Sequence, residues 1–240
     1  MAIKEGAGMT ELSLWQKIMA ALEEGVNAVW LAFLPRSGPD SVAFSISFIA
    51  LAAKLAKADG VVTRDEVTMF RQIFEIPPEQ EANAARVYNL CRQETTGFET
   101  YARQLSGALA RTEAGDQLRR DVIDGLFHIA MADGVYNDDQ DAFLRRVAEI
   151  FGLNEEAFLN VRARHVPELW DPWLIVGLSP SATHEDLRAR RRAFMRENHP
   201  DKIIARGLPQ EMIELANLRL VIFQEAYKAI EDIISHEVFP

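Results

Sequence analysis

Residues 172–201 read PWLIVGLSPSATHEDLRARRRAFMRENHPD, and this stretch decides the fold class. Asp171 precedes Pro172, which predicts a helix N-cap followed by proline at the first helical position, where its missing N–H costs nothing. The short apolar helix that follows stops at Gly177. Ser179 to Ala182 form a turn, and Thr183 with Asp186 three residues later opens a second helix through a box-like cap. That helix runs to about Glu197 and meets His199-Pro200-Asp201, followed by a loop. A third helix opens near Pro209 and continues to about Ile234. Leu220, Phe223, Tyr227, Ile230 and Ile234 share one face of it, and Leu187 and Phe194 supply part of the facing stripe. The predicted unit is a pair of antiparallel helices held at a proline corner, with a short helix in front.

The same helical spacing extends outward from this unit along nearly the whole chain, broken only by Gly, Pro and Asx punctuation, so an all-α fold is expected. Residues 1–40 hold an amphipathic helix over 11–34, with Trp15, Ile18, Leu22, Val26, Val29 and Phe33 in its stripe, and then a linker at Pro35, Gly38 and Pro39. Its polar positions carry Glu11, Glu23 and Glu24 against Lys17, a poor charge match for anionic lipid, so packing against the next domain is expected. Residues 41–166 read as a helical domain with an internal repeat, and 167–240 as the unit above. In the repeat, Ala58-Asp59-Gly60-Val61 returns as Ala132-Asp133-Gly134-Val135. In each copy an apolar helix runs into Asp-Gly, and a new helix starts at a capping residue: Thr63 with Glu66, or Asn137 with Gln140. Helices over roughly 79–92, 98–111 and 155–165 complete the bundle.

Composition narrows the function classes. The 240 residues carry 26 Lys and Arg against 36 Asp and Glu, a net charge of −10, which argues against nucleic-acid binding by the protein as a whole. One cysteine, Cys91, excludes an internal disulfide framework and a multi-Cys zinc cage, and a reducing compartment such as the cytoplasm fits. No stretch supplies the ~20 apolar residues of a spanning helix, and a secretory leader is not evident at the N-terminus. Peripheral membrane association stays open. The Asp-Gly turns are not EF-hands: with Asp59 and Gly60 at loop positions five and six, Leu55 and Lys57 fall where oxygen ligands belong, and the second copy offers Ile129 and Met131.

The paired turns KADGVVTRDE and MADGVYNDDQ, set in a short all-helical domain, resemble the TerB-type (tellurite-resistance) fold over about residues 41–166. Members of that family have acidic surface clusters suspected of metal binding; the matching acids are Asp59, Asp65, Glu66, Asp133, Asp138 and Asp139. The reading favoured for these residues is a capped turn, and no metal or cofactor site is assigned.

The C-terminal unit resembles the J domain of DnaJ-type co-chaperones over about residues 169–236. The resemblance rests on IVGLSPSATHEDLRARRRAF, on the His-Pro-Asp tripeptide and on IFQEAYKAIED. The long segment HPDKIIARGLPQEMIELA and the order of the two domains are similar to the DjlA subfamily, members of which often begin with a membrane-spanning segment. The resemblance implies a partner, a DnaK-type chaperone ATPase, docked by His199, Pro200, Asp201 and Lys202 and by the basic helix, with Arg188, Arg191, Arg192 and Arg196 as contact residues. It implies no enzyme activity of the chain's own. The TerB-like domain would select client or location, and the N-terminal helix is a candidate homodimer surface. Five arginines and no acid lie between Leu187 and Arg196, which suits an acidic partner surface. The departures are Arg191 for an exposed tyrosine, Arg190 for alanine, Ala193 and Glu197 for basic residues, and Asn198 for an aromatic. A Gly/Phe-rich tail and a Cys-rich region are missing from these residues, so client holding by the DnaJ route is not expected.

The tripeptide also makes sense physically. Proline fixes φ and removes a backbone donor, giving a rigid corner that offers an imidazole and a carboxylate. Two other classes compete with this reading. An acidic metal-binding or stress module would place function in the repeat turns. A DNA-binding helical protein would use the Arg-rich helix, but net charge opposes it. Phosphate-cradling Gly loops, Gly-x-Ser-x-Gly and His-Glu-x-x-His are missing from the sequence.

Overall fold

The computed structural model describes residues 42–57, 81–93, 97–111, 115–205 and 210–238. The amphipathic helix expected over 11–34 and the turn and second helix of the first repeat copy lie outside the described residues. All regular elements among the described residues are helical. They are α1 (Val42–Leu55), α2 (Glu81–Gln93), α3 (Phe98–Leu109), α4 (Gly115–Ala130), α5 (Asp138–Ile150), α6 (Glu155–His165), α7 (Pro172–Val176), α8 (His184–Glu197), α9 (Pro200–Ala205) and α10 (Gln210–Val238), with a 3₁₀ turn at Pro167–Leu169.

Caps read from the sequence recur in the structure. Asn137 accepts from the Gln140 backbone N–H at 2.9 Å, and the Gln140 side chain accepts from the Asn137 N–H at 3.2 Å. The Gln140 amide also donates to the Ala130 carbonyl at 3.4 Å, so one buried side chain joins the end of α4 to the start of α5. Gly134 between them sits at φ 77°, a left-handed conformation that strains side chains with a Cβ. Asp133, the acid of this turn, accepts from the Val135 N–H at 3.0 Å.

Helix α1 runs through the middle of the first core. Phe48, Ile49, Leu51 and Leu55 are fully buried, beside Leu118, Phe127, Leu144 and Val147. Each such side chain withdrawn from water contributes about 1.5–3 kcal/mol before chain entropy is counted. A second core lies under α8 and contains Ile175, Val176, Leu187, Phe194, Phe223, Tyr227 and Ile230. The Phe194 and Phe223 rings stack at 3.6 Å between centroids and bind α8 to α10.

Helix α10, 29 residues long, belongs to both cores. Ala216 is buried in the first, with Ile213 against it, and Leu220 touches both, whereas Phe223, Ala226 and Ile230 serve the second. The sequence predicted the face carried by Leu220, Phe223, Tyr227 and Ile230. The docking of the earlier turns onto α4 of the bundle was not predicted.

Candidate functional site

The predicted corner is built at the junction of α8 and α9. Helix α8 starts at Thr183, whose hydroxyl accepts from the Asp186 N–H at 3.2 Å while the Asp186 carboxylate accepts from the Thr183 N–H at 2.9 Å. The helix ends at Asn198, buried to 4% exposure. Its backbone N–H donates to the Phe194 carbonyl at 2.9 Å, and its Nδ2 donates to the same carbonyl at 3.0 Å. Two donors on one terminal carbonyl fix the direction in which the chain leaves the helix. Asn198, noted in the sequence only as a departure, is therefore the residue that aims the corner. A short polar side chain at a predicted helix end was the signal.

His199 and Asp201 both stand in solvent, their side chains 57% and 88% exposed. The Asp201 backbone N–H donates to His199 Nδ1 at 3.3 Å, and the carboxylate lies 3.5 Å from the same nitrogen. The other ring nitrogen, Nε2, has no partner among the described residues. Lys202, also exposed, donates its backbone N–H to the His199 carbonyl at 2.8 Å. A loop was expected after the tripeptide; the structure has α9 instead, with Pro200 at its first position. Proline's fixed φ suits that position.

The arginines of α8 divide into two groups. Arg188, Arg192 and Arg196 follow each other at intervals of four, with Arg191 beside them, and all four are exposed. The Arg191 guanidinium lies 4.8 Å from the centre of the Tyr227 ring, a contact that steadies it over α10. Arg190 is different. Its Nε donates to the Val176 carbonyl at 2.8 Å and its guanidinium lies near the Phe194 and Phe223 rings. The basic face expected of five arginines is thus an exposed stripe of four plus one inner residue that ties α8 to the end of α7.

Helices α4, α6 and α10 meet around a buried ionic cluster that sequence reasoning missed. Asp121, Asp124 and Arg219 are 1%, 3% and 6% exposed. Arg219 pairs with Asp121, and its Nε lies 2.9 Å from Asp124 Oδ2. Arg164 Nη1 donates to Asp124 at 3.2 Å, and His165 Nε2 lies 2.8 Å from Asp124 Oδ1. Burial alone would raise the Asp124 carboxyl, but Arg164 and Arg219, with His165 adding its hydrogen bond, hold it well below the ordinary carboxylate range. Burial, and after it His165, push the neighbouring His128 down. From α6, Asn160 Nδ2 donates to the Leu174 and Ile175 carbonyls at 2.6 and 2.9 Å, which fixes α7 on the bundle.

Of the acids matched to metal-binding clusters, Asp133, Asp138 and Asp139 are exposed around a capped turn, and Asp59, Asp65 and Glu66 lie outside the described residues. Among the described residues there is no group of three or more His, Cys, Asp or Glu side chains able to hold a metal ion. No helix among them is long and apolar enough to cross a membrane.

Residues 45–163 match the TerB family, described as tellurite resistance protein TerB. The chain is 24% identical over 204 residues to a protein of Shewanella oneidensis named Co-chaperone protein DjlA, covering 78% of this chain and 76% of that one. It is 26% identical over 203 residues to a protein of the same name from Coxiella burnetii, covering 75% and 74%. The Escherichia coli K12 protein of that name is 29% identical over 126 residues, 42% of this chain and 46% of its own length. No solved structure matches the chain. A TerB match within the helical bundle thus goes together with similarity, through about three quarters of the chain, to proteins named Co-chaperone protein DjlA.

Proposed function

We propose that this chain is a co-chaperone whose residues 167–240 form a J domain that docks a DnaK-type chaperone and accelerates its ATP hydrolysis. The observation that carries this reading is the corner itself. An imidazole and a carboxylate stand in solvent on a proline-stiffened turn, beside an exposed arginine stripe and on a helix pair held by stacked Phe194 and Phe223. The names of the relatives support it. With both side chains standing in solvent, the groups are arranged for contact with an outside surface rather than for bond chemistry.

The partner's ATPase carries out the hydrolysis. Arg188, Arg191, Arg192 and Arg196 steer an acidic surface onto α8, and His199, Pro200, Asp201 and Lys202 engage it at the end of the helix. Acceleration then comes from binding one state of the partner more tightly than the other. The TerB-like unit, over about 41–166, selects the client or the location, and residues 1–40 support self-association. A partner that consumes ATP places this work in the cytoplasm.

Single-turnover ATP hydrolysis by a DnaK-type chaperone tests the proposal. The wild-type chain is expected to accelerate it and His199→Gln to return it to the unstimulated rate; stimulation that survives the substitution removes His199 from the role. Arg188→Glu with Arg192→Glu is expected to weaken docking, with a loss that shrinks as salt screens the surface charges. Unchanged affinity at low salt removes the stripe from the interface.

A further inference from the structure

Between the bundle and the C-terminal helices lies a cleft of about 280 Å³, walled by α4, α6, α7 and the middle of α8's inner face. Three arginines from three different helices line it: Arg120 of α4, Arg164 of α6 and Arg190 of α8. Asn154 and Asn160 add amides, and the acid in the lining, Glu156, is exposed. A cationic cleft stands out in a protein whose net charge is −10.

Arrangements of like charge need a reason, because guanidiniums brought together repel and their desolvation is costly. Arg164 is deeply buried, its side chain 7% exposed, and it has one carboxylate partner, Asp124, which that residue shares with Arg219 and His165. Its Nε is buried without an acceptor. Burial first, and the charges of Arg219 and Arg120 after it, pull its pKa down to about 10 against the opposing pull of Asp124. Arg120 is exposed and has no hydrogen bond or ion pair among the described residues. Arg190 spends its Nε on the Val176 carbonyl and its Nη1 makes only a long, 4.0 Å ion pair with the exposed Glu197, which leaves Nη2 available. The positive charge of the cleft is thus under-compensated by the protein's own carboxylates.

We propose that this cleft binds a small phosphate-class oxyanion, either free phosphate or the phosphate end of a nucleotide, held by Arg120, Arg164 and Arg190. Guanidinium forks match the oxygens of such an anion bidentately, and several forks around one centre favour a polyvalent anion over a single carboxylate. The volume falls just below the ~300–1,000 Å³ of drug-sized sites, which suits an ion or a compact ester. The bound anion would join α4 and α6 of the TerB domain to α7 and α8 and stiffen the joint on which the His199 corner is carried. The site does not depend on the proposed chaperone role, so its failure would leave that role standing.

Calorimetric titration of the full chain with inorganic phosphate, in parallel with acetate and AMP, tests the site. Phosphate is expected to bind saturably at one site per chain and to raise the melting temperature, with acetate at least tenfold weaker. Arg120→Ala, at an exposed position where folding is not at stake, is expected to weaken phosphate at least tenfold, and Arg190→Gln likewise. Arg103→Ala, on an exposed face of α3, should leave affinity within twofold. AMP binding more tightly than phosphate identifies a nucleotide as the source, and equal binding identifies the free ion. Absence of saturable phosphate binding, acetate binding as tightly as phosphate, or affinity indifferent to Arg120→Ala overturns the proposal.

Discussion

Two histidine–aspartate pairs in this molecule do opposite things. His199 and Asp201 are two residues apart, 3.5 Å from each other and mostly in solvent. His165 and Asp124 are 41 residues apart, 2.8 Å from each other and nearly inaccessible, with Arg164 and Arg219 on the same carboxylate. Water screens the first pair, so it adds little to stability and both groups stay available to an outside surface. The second pair cannot be solvated, and each member depends on the others for compensation. The chemical identity of a pair therefore says little; exposure and neighbours decide whether it holds the fold or contacts a partner.

The largest effect expected from testing this contrast is at Arg219. Arg219→Ala leaves Asp121 and Asp124 with reduced compensation in a dry site and should destabilise the full chain by about 3–5 kcal/mol in denaturant unfolding. A loss below ~1 kcal/mol would mean that the cluster is hydrated and resembles the surface pair after all.

Asp124 supplies the next test. Its carboxyl is held low in the folded chain, whereas an unfolded Asp titrates near ~3.9. Its contribution is therefore complete above that value and is lost as pH falls below it. Asp124→Asn should be less stable at neutral pH and should lose less further stability than wild type between about pH 4 and pH 2, followed by thermal melts.

A smaller effect belongs to Asn160, which holds the two carbonyls at the end of α7. Asn160→Ala should cost about 1–3 kcal/mol. Amide hydrogen exchange should quicken in α7 before it does in α4. The smallest change is expected at the exposed pair: His199→Gln should alter unfolding free energy by no more than ~0.5 kcal/mol. A larger loss would show that the corner helps to hold the fold and would blur the distinction between the pairs.

Helices α7 and α8 were readable because their signals are local. Asp171, Pro172, Gly177 and Thr183 with Asp186 act within four residues of themselves, and each acts in the structure as its chemistry dictates. Asn137 with Gln140 is legible for the same reason. The buried cluster was not legible, because Asp121 and Arg219 are 98 positions apart and each looks like an ordinary charged residue of an amphipathic helix. Arg190 counts among the five arginines of the helix but not among the expected contact residues, and its offset of three from Leu187 and four from Phe194 agrees with its place on the inner side. Helix α9 escaped notice because six residues after a proline carry too little periodicity to separate a short helix from a loop. The corner was legible by motif, and Asn198, which aims it, was noticed only as an oddity.

A single rod threaded through two hydrophobic interiors governs how the molecule comes apart. Freeing α10 from one interior exposes Ile213 and Ala216 and strands Arg219 far from its counter-ions, and freeing it from the other separates Phe223 from Phe194. Neither half can melt while the other stays whole, so heating should give one merged transition rather than two steps, and excising either half should leave its fragment with a torn, sticky flank.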